Sequence, residues 1–332
     1  MTTLSDAYHA ALASVVLLDR SDRVRIEIHG PDRAKFLHNL TTNDVKRLPL
    51  GQGIEAFVTT LQGKTLGYVT LLALPDHILV RADPGSEALL LPHFRKFGLF
   101  DDVDIVEPGQ PAFDYHLAGP AAEAILSQVA ADLPPPGELR HTLSTIAEKP
   151  VLIVRETPLG LPGFSLSGDR AHAPQILEAI HRAQNSPDIP MLDTESAEIL
   201  RIEAGTPVFL RDITPDNLPQ EVARDSRAIN FVKGCYLGQE TVARIDALGH
   251  VNKTLRGLQW ERTTDDLPPL GSSIEANGKI VGAITSSAFS PRTGGVVALA
   301  YLRASVEKAG TEVSVLFGNA RLAAVVIDLP MR

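Results

Sequence analysis

Val24-Arg25-Ile26-Glu27-Ile28-His29-Gly30-Pro31-Asp32 decides the architecture, because alternating apolar and polar residues run into a Gly-Pro break followed by an aspartate. A period of two marks a half-buried strand, and Gly-Pro stops it. Asp32 is then placed to cap a helix whose apolar face is Phe36, Leu37 and Leu40. Further along, the same order returns: a strand over Tyr115 to Ala118, Gly119-Pro120, and a helix carrying Ala124, Ile125 and Val129. A strand, Gly-Pro, helix unit occurring twice predicts two related α+β modules. Ile54 to Val80 and Val103 to Val106 read as further antiparallel strands, and Pro134-Pro135-Pro136-Gly137 as a surface loop inside a module.

Two more helices follow. One opens near Asp193 or Thr194, favoured by Glu195 and Glu198, and stops at Gly205 with Pro207 just beyond. The other opens near Gly238, is expected to turn Val242, Ile245 and Leu248 inward, and ends at Gly249. From Asn252 the pattern changes to short β segments. Asn277-Gly278 is a hairpin signal, with later strands over Val296 to Leu302, Val313 to Phe317 and Leu322 to Ile327. The expected division is therefore residues 1–250 for the two modules and 251–332 for a small C-terminal β-barrel, with Trp260 in the barrel core.

Composition narrows the function. A chain of 332 residues with 44% apolar side chains is long enough for two or three packed units. Its formal charge of -9 repels phosphate backbones, and no basic cluster offsets it, so nucleic acid is not expected as a partner. The early apolar run from Ala10 to Leu18 is short and no lysine or arginine precedes it, which reads as neither a secretory signal nor a membrane span. Cys235 is the only cysteine, so the chain has no internal disulfide and no four-cysteine site of its own, and a cytoplasmic, reducing location is expected. The ten histidines are scattered singly, and from their spacing no bound metal is expected.

That single thiol lies in Lys233-Gly234-Cys235-Tyr236-Leu237-Gly238-Gln239-Glu240, between glycines at the mouth of a helix. Helix N-H groups favour an anion, and Lys233 adds a stabilising positive charge two residues away, which points to an accessible thiolate. The competing reading is a small buried apolar residue, the usual fate of a free cysteine. Tyr236 either stacks on a ligand ring or seals the loop. Arg227 and Arg244 have the charge to face a polycarboxylate, or are ordinary surface arginines.

The octapeptide resembles the K-G-C-Y-x-G-Q-E motif of the YgfZ-type branch of the glycine-cleavage T-protein (aminomethyltransferase) superfamily. His29-Gly30-Pro31 through Phe36-Leu37, Thr42-Asn43-Asp44-Val45 and Thr285-Ser286-Ser287-Ala288-Phe289-Ser290-Pro291 agree with it. The resemblance implies a cloverleaf-like arrangement around a central cavity that binds tetrahydrofolate or a derivative. It also implies a role in maturation or repair of iron-sulfur enzymes, with iron-sulfur proteins or cluster-assembly factors as partners and Cys235 as the functional thiol. The superfamily has a similar Glu-Ala-Gly at a helix end, so Glu203 in Arg201-Ile202-Glu203-Ala204-Gly205 is expected to accept the adjacent N-H donors of a pterin.

Aminomethyltransferases of this superfamily carry an acidic pair after a glycine-rich turn. In Gln62-Gly63-Lys64-Thr65-Leu66-Gly67-Tyr68, glycine and tyrosine stand at those places, and neither replaces a carboxylate as base or counter-charge. The expectation is a folate-binding accessory protein, with a tetrahydrofolate-dependent aminomethyl or methyl transferase as the alternative. A thiol enzyme is a third reading, although the histidine nearest the motif is His250.

Overall fold

The computed structural model describes residues 6–108, 112–183, 189–262 and 266–331. They form two compact units. The first is built from the chain up to His38, Asp44–Glu55 and Val69–Ala197, the second from Asn39–Asn43, Ala56–Tyr68 and the chain from Glu198 onward.

The repeat lies mainly in the first unit, with residues 39–40, 56–59 and 65–68 of its elements belonging to the second. It opens with α1 (Asp6–Ala13) and β1 (Val16–Asp19), then runs β2 (Val24–His29), α2 (Arg33–Leu40), β3 (Gly53–Thr59), β4 (Thr65–Ala73), β5 (Ile78–Ala82), α3 (Glu87–Phe97) and β6 (Asp104–Val106). The second half runs β7 (Ala112–Ala118), α4 (Ala122–Val129), β8 (His141–Ile146), β9 (Lys149–Arg155), β10 (Gly163–Asp169) and α5 (Ala173–Ala183). One sheet is ordered β3-β4-β5-β2-β6 and the other β8-β9-β10-β7-β1. Position by position these are the same topology: a first strand, a helix, a three-strand meander, a second helix and a fifth strand beside the first. The fifth strand is β6 in one module and the chain's early β1 in the other.

Alternation in β2 works as the sequence indicates, with Ile26 and Ile28 buried while Arg25, Glu27 and His29 share the half-exposed face. Phe36, Leu37 and Leu40 of α2 are buried. In α4 the buried residues are Ala122, Ile125 and Leu126, and Ala124 points outward. Because the helix begins at Ala122, the stripe follows positions i, i+3 and i+4 from there, which leaves Ala124 off the apolar face.

The two modules meet through an apolar cluster of Leu72, Leu74, Leu79, Leu139, Leu152 and Val154. Beside it lies a buried charge network. Glu156, past the end of β9, accepts from Arg81 Nη2 at 2.6 Å and from the Ser165 hydroxyl, while Arg20 and Arg23 approach it at 3.7 and 3.6 Å. Burial alone raises the Glu156 pKa, but Arg81, Arg23 and Arg20 outweigh it and hold the carboxyl well below its ordinary range.

The second unit contains α6 from Glu198 (whole helix Thr194–Glu203), α7 (Asp225–Ala228), α8 (Gln239–Leu248) and the strands β11 (Lys253–Glu261), β12 (Ser273–Ala276), β13 (Lys279–Ser290), β14 (Gly295–Arg303), β15 (Glu312–Phe317) and β16 (Ala320–Ile327). The strands close into a barrel in the order β11-β14-β13-β12-β15-β16. Leu258, Trp260, Ile274, Ile284, Val315 and Val326 fill it. Asn277 and Gly278 both take positive φ, 51° and 74°, which is the two-residue turn whose twist matches the hairpin of β12 and β13. In α8 only Val242 is buried and Leu248 is 59% exposed, so the expected inward face is confined to the first turns of that helix. The fold is thus α+β, two antiparallel-sheet modules with helices and a closed six-stranded barrel.

Removing the charge of Glu156 leaves three guanidinium groups without their main counter-charge. Glu156→Gln is expected to lower stability by about 3–5 kcal/mol in denaturant unfolding; a loss below about 1 kcal/mol would mean the arginines are neutralised elsewhere.

Candidate functional site

The Cys235 segment alternates between burial and exposure. Lys233 and Tyr236 are buried, while Gly234 and Cys235 face solvent, and the thiol is free. The sequence left burial and accessibility of this sulfur open, and the structure places it outside. Everything around it is tied down within the second unit. Lys233 Nζ donates to the carbonyls of Thr41 (2.5 Å) and Asn43 (2.9 Å) and lies 4.6 Å from the centre of the Tyr236 ring. Leu237 N-H donates to Asn39 O at 2.8 Å, and Leu237 O accepts from Thr59 Oγ1 at 2.5 Å. Gln239 N-H reaches Tyr236 O at 3.2 Å and its side-chain oxygen accepts from Tyr236 N-H at 3.3 Å, closing the turn before α8.

Two glycines permit this. Gly238 has φ +81°, and a Cβ there would sit 2.4 Å from Thr60 O and 2.9 Å from Gly63 Cα. Gly63, in the β3–β4 turn, has φ +74°, and its Cβ would meet Thr241 at 2.7 Å and Gly238 O at 3.1 Å. Main chain therefore packs on main chain. Thr241 Oγ1 adds a bond to Gln62 O at 3.0 Å.

A second group of residues gathers where α6 meets β13. Glu203 is 3% exposed; its Oε1 accepts from Ser290 Oγ at 2.6 Å and Oε2 pairs with Arg292 at 3.2 Å. Two residues earlier, Arg201 donates to Asp212 Oδ2 at 2.8 Å, to Ser286 Oγ at 2.6 Å and to both oxygens of Glu198. Asp212 is fully buried and also accepts from Thr285 (2.6 Å), Ser286 (2.7 Å) and Val208 N-H (2.9 Å). Burial would pull the Arg201 pKa down, yet Asp212 and Glu198 raise it above its ordinary value. The Thr285 to Pro291 run thus grips α6 twice, once through Arg201 and once through Glu203. The sequence reading singled out Glu203 and missed Arg201, Asp212 and Ser286. Asp212 stands in an aperiodic loop, and only the spacing of hydroxyls in the Thr285 run hinted at a polar partner.

The remaining candidates separate. Tyr236 is 9% exposed with Lys233 over its ring, and its burial raises its pKa, which supports the sealing role. Arg227 and Arg244 are exposed, on α7 and α8. Gly67 lies in β4, and the Tyr68 ring lies 5.0 Å from that of Phe57. A cavity of about 320 Å³ in this unit is lined by Gln220, Asp225, Phe231, Asp246, His250 and Arg256, among others. Burial, with help from Asp246, raises the Asp225 pKa to about 6, and its buried Oδ1 has no hydrogen-bond partner among the described residues.

Comparison with known proteins matches residues 2–232 to the GCVT N-terminal domain and residues 253–331 to the glycine cleavage T-protein C-terminal barrel domain. The chain belongs to the glycine-cleavage T-protein family. An aminomethyltransferase of Desulforamulus reducens is 27% identical over 98% of this chain and 88% of its own. A chloroplastic protein of Arabidopsis thaliana with a provisional transferase name is 28% identical, over 91% of this chain and 68% of its own. The crystal structure of glycine cleavage system aminomethyltransferase T from Bartonella henselae superposes with a TM-score of 0.86 at 22% identity, covering 98% of this chain and 88% of that one, which establishes the shared fold. No helix among the described residues is long and apolar enough to cross a membrane.

For this T-protein-family chain, two outcomes follow from the geometry. Gly238→Ala must relieve both the left-handed backbone and the overlap with Thr60 and Gly63, and is expected to cost roughly 2–4 kcal/mol in denaturant unfolding; an unchanged midpoint would mean the loop can lift off the hairpin. Asp225 holds its proton more tightly folded, near pH 6, than unfolded, near 3.8, so its ionisation removes stability as pH rises through that window. Asp225→Asn should therefore raise the thermal midpoint at pH 8 and leave it nearly unchanged at pH 4, while equal shifts at both pH values would refute the assignment.

Proposed function

We propose that this protein is a tetrahydrofolate-binding accessory factor of the YgfZ type that supports maturation or repair of iron-sulfur enzymes through Cys235. The observation that carries the reading is an exposed lone thiol on a backbone pinned on both sides, by Lys233 and Tyr236 before α8 and by Leu237 and Gly238 against residues 39–63. A surface cysteine with no role needs no such support, whereas one that meets a partner's cluster or thiol gains from a fixed position. Lys233, whose Nζ is held by the carbonyls of Thr41 and Asn43, fixes the loop that carries the thiol. One thiol supplies one ligand, so a transferred cluster would be substrate and would take its other ligands from a client or donor protein.

Glu203 fits the pterin role in chemistry: a buried carboxylate accepts hydrogen bonds, and a pterin edge offers adjacent N-H donors. Arg227 and Arg244, both exposed, match the carboxylates of a folate's glutamyl tail. Bound tetrahydrofolate would supply one-carbon or reducing chemistry. The lack of a carboxylate at Gly67 and Tyr68 supports an accessory role over transfer. The transferase reading keeps its place because relatives named aminomethyltransferase align over nearly the whole chain.

In a strain lacking the protein, Cys235→Ser is expected to leave iron-sulfur enzyme activities unrestored although the variant folds and accumulates; full restoration would end the accessory reading. Tetrahydrofolate titrations should show Glu203→Ala binding about 10–100-fold more weakly, the worth of one or two charged hydrogen bonds. Catalytic turnover of an aminomethyl or methyl adduct by the wild-type protein would decide for the transferase instead.

A further inference from the structure

The half-exposed face of the first module's sheet holds a cluster of ligating side chains unrelated to the thiol. Glu27 and His29 are two apart on β2 and so point to the same side. Antiparallel pairing sets Ile28 opposite Ile78, which brings His77, the residue before β5, across from His29. The donor atoms of Glu27, His29 and His77 all lie within 4.8 Å of one another. Glu27 Oε2 and His29 Nε2 are 3.0 Å apart, and the two imidazole rings sit 4.9 Å apart at 34°. On the other side of His29, Asp104 of β6 occupies the facing register position.

His77 is already oriented. Its Nδ1 lies 2.9 Å from Asp76 Oδ1, and the ionised carboxylate can only accept, so Nδ1 carries the hydrogen. In the neutral ring Nε2 is then left with its lone pair free to bind. A carboxylate fixing the far nitrogen of a histidine is the arrangement that aligns imidazole ligands in metal sites. Side-chain exposures of 22% for Glu27, 32% for His29 and 15% for His77 leave the cluster open to solvent ions yet largely supported by the sheet.

We propose that Glu27, His29 and His77 form a binding site for a divalent transition metal, with Asp76 positioning His77. Two imidazoles and one carboxylate match zinc and its late first-row neighbours, whereas magnesium and calcium want oxygen donors throughout. Tetrahedral bonds of about 2.0–2.1 Å place ligand atoms about 3.3 Å apart, so small side-chain rotations complete the site, with water in the fourth position. Occupancy requires the hydrogen shared between His29 Nε2 and Glu27 to leave that nitrogen. Sequence spacing predicted no metal because 48 positions separate His29 from His77; the register of β2 and β5 removes that separation.

The test uses the full chain without an affinity tag, carrying Cys235→Ser so that the thiol cannot bind metal. Zinc competition against a chromophoric chelator should give one tight equivalent, cobalt should give the intense visible bands of a four-coordinate site, and magnesium should not compete. His77→Ala and His29→Ala should each weaken zinc binding at least 100-fold, and Asp76→Asn by about 10–100-fold. His77→Gln, which keeps size and polarity, serves if the alanine variant fails to fold. Absence of a stoichiometric zinc equivalent in the Cys235→Ser protein overturns the proposal, as does affinity that is the same with and without His77.

Discussion

Where Gly238 crosses the β3–β4 turn, the two main chains approach so closely that neither Gly238 nor Gly63 has room for a side chain. The position of the octapeptide follows from this contact. With main chain seated on main chain, Leu237 can exchange hydrogen bonds with Asn39 and Thr59, and Lys233 can reach carbonyls on the same short segment. Cys235 is left outside because its neighbours are the ones drawn in. An exposed residue held this way pays little conformational entropy when it meets a partner, since the ordering was done during folding.

Polar interactions of another kind hold α6 to β13. Asp212 lies wholly inside, yet each of its oxygens has two donors, so the carboxylate is matched rather than stranded. The same strand supplies Ser290 to Glu203. Residues belonging to two separate family-like motifs, around Glu203 and around Thr285, therefore form one structural device. In the first unit Glu156 plays a comparable part among its arginines, at the seam of the two modules.

Much of this was legible in the sequence where a signal is local. The Gly-Pro break after alternating residues located β2, and Asn277-Gly278 located the β12–β13 hairpin, because each rests on backbone preferences of a few adjacent residues. Glu203, singled out from its Glu-Ala-Gly context, lies buried against Ser290 and Arg292. Leu248 reads as inward from its apolarity and spacing, and that fails because what packs on a helix decides how far along it the buried face extends. Arg201 with Ser286, and His29 with His77, are 85 and 48 residues apart in the chain, and no periodicity announces partners at such distances.

The second sheet borrows its edge strand β1 from the start of the chain, while β7, against which β1 lies, begins at Ala112. On a ribosome moving at about 5–20 residues per second, β1 would wait roughly 5–20 s before that neighbour exists. During that interval Val16 and Leu17, buried in the finished protein, have no sheet of their own to join. The first module can close early, but the second is completed only by reaching back, so folding of this unit joins an early strand to one synthesised well after it.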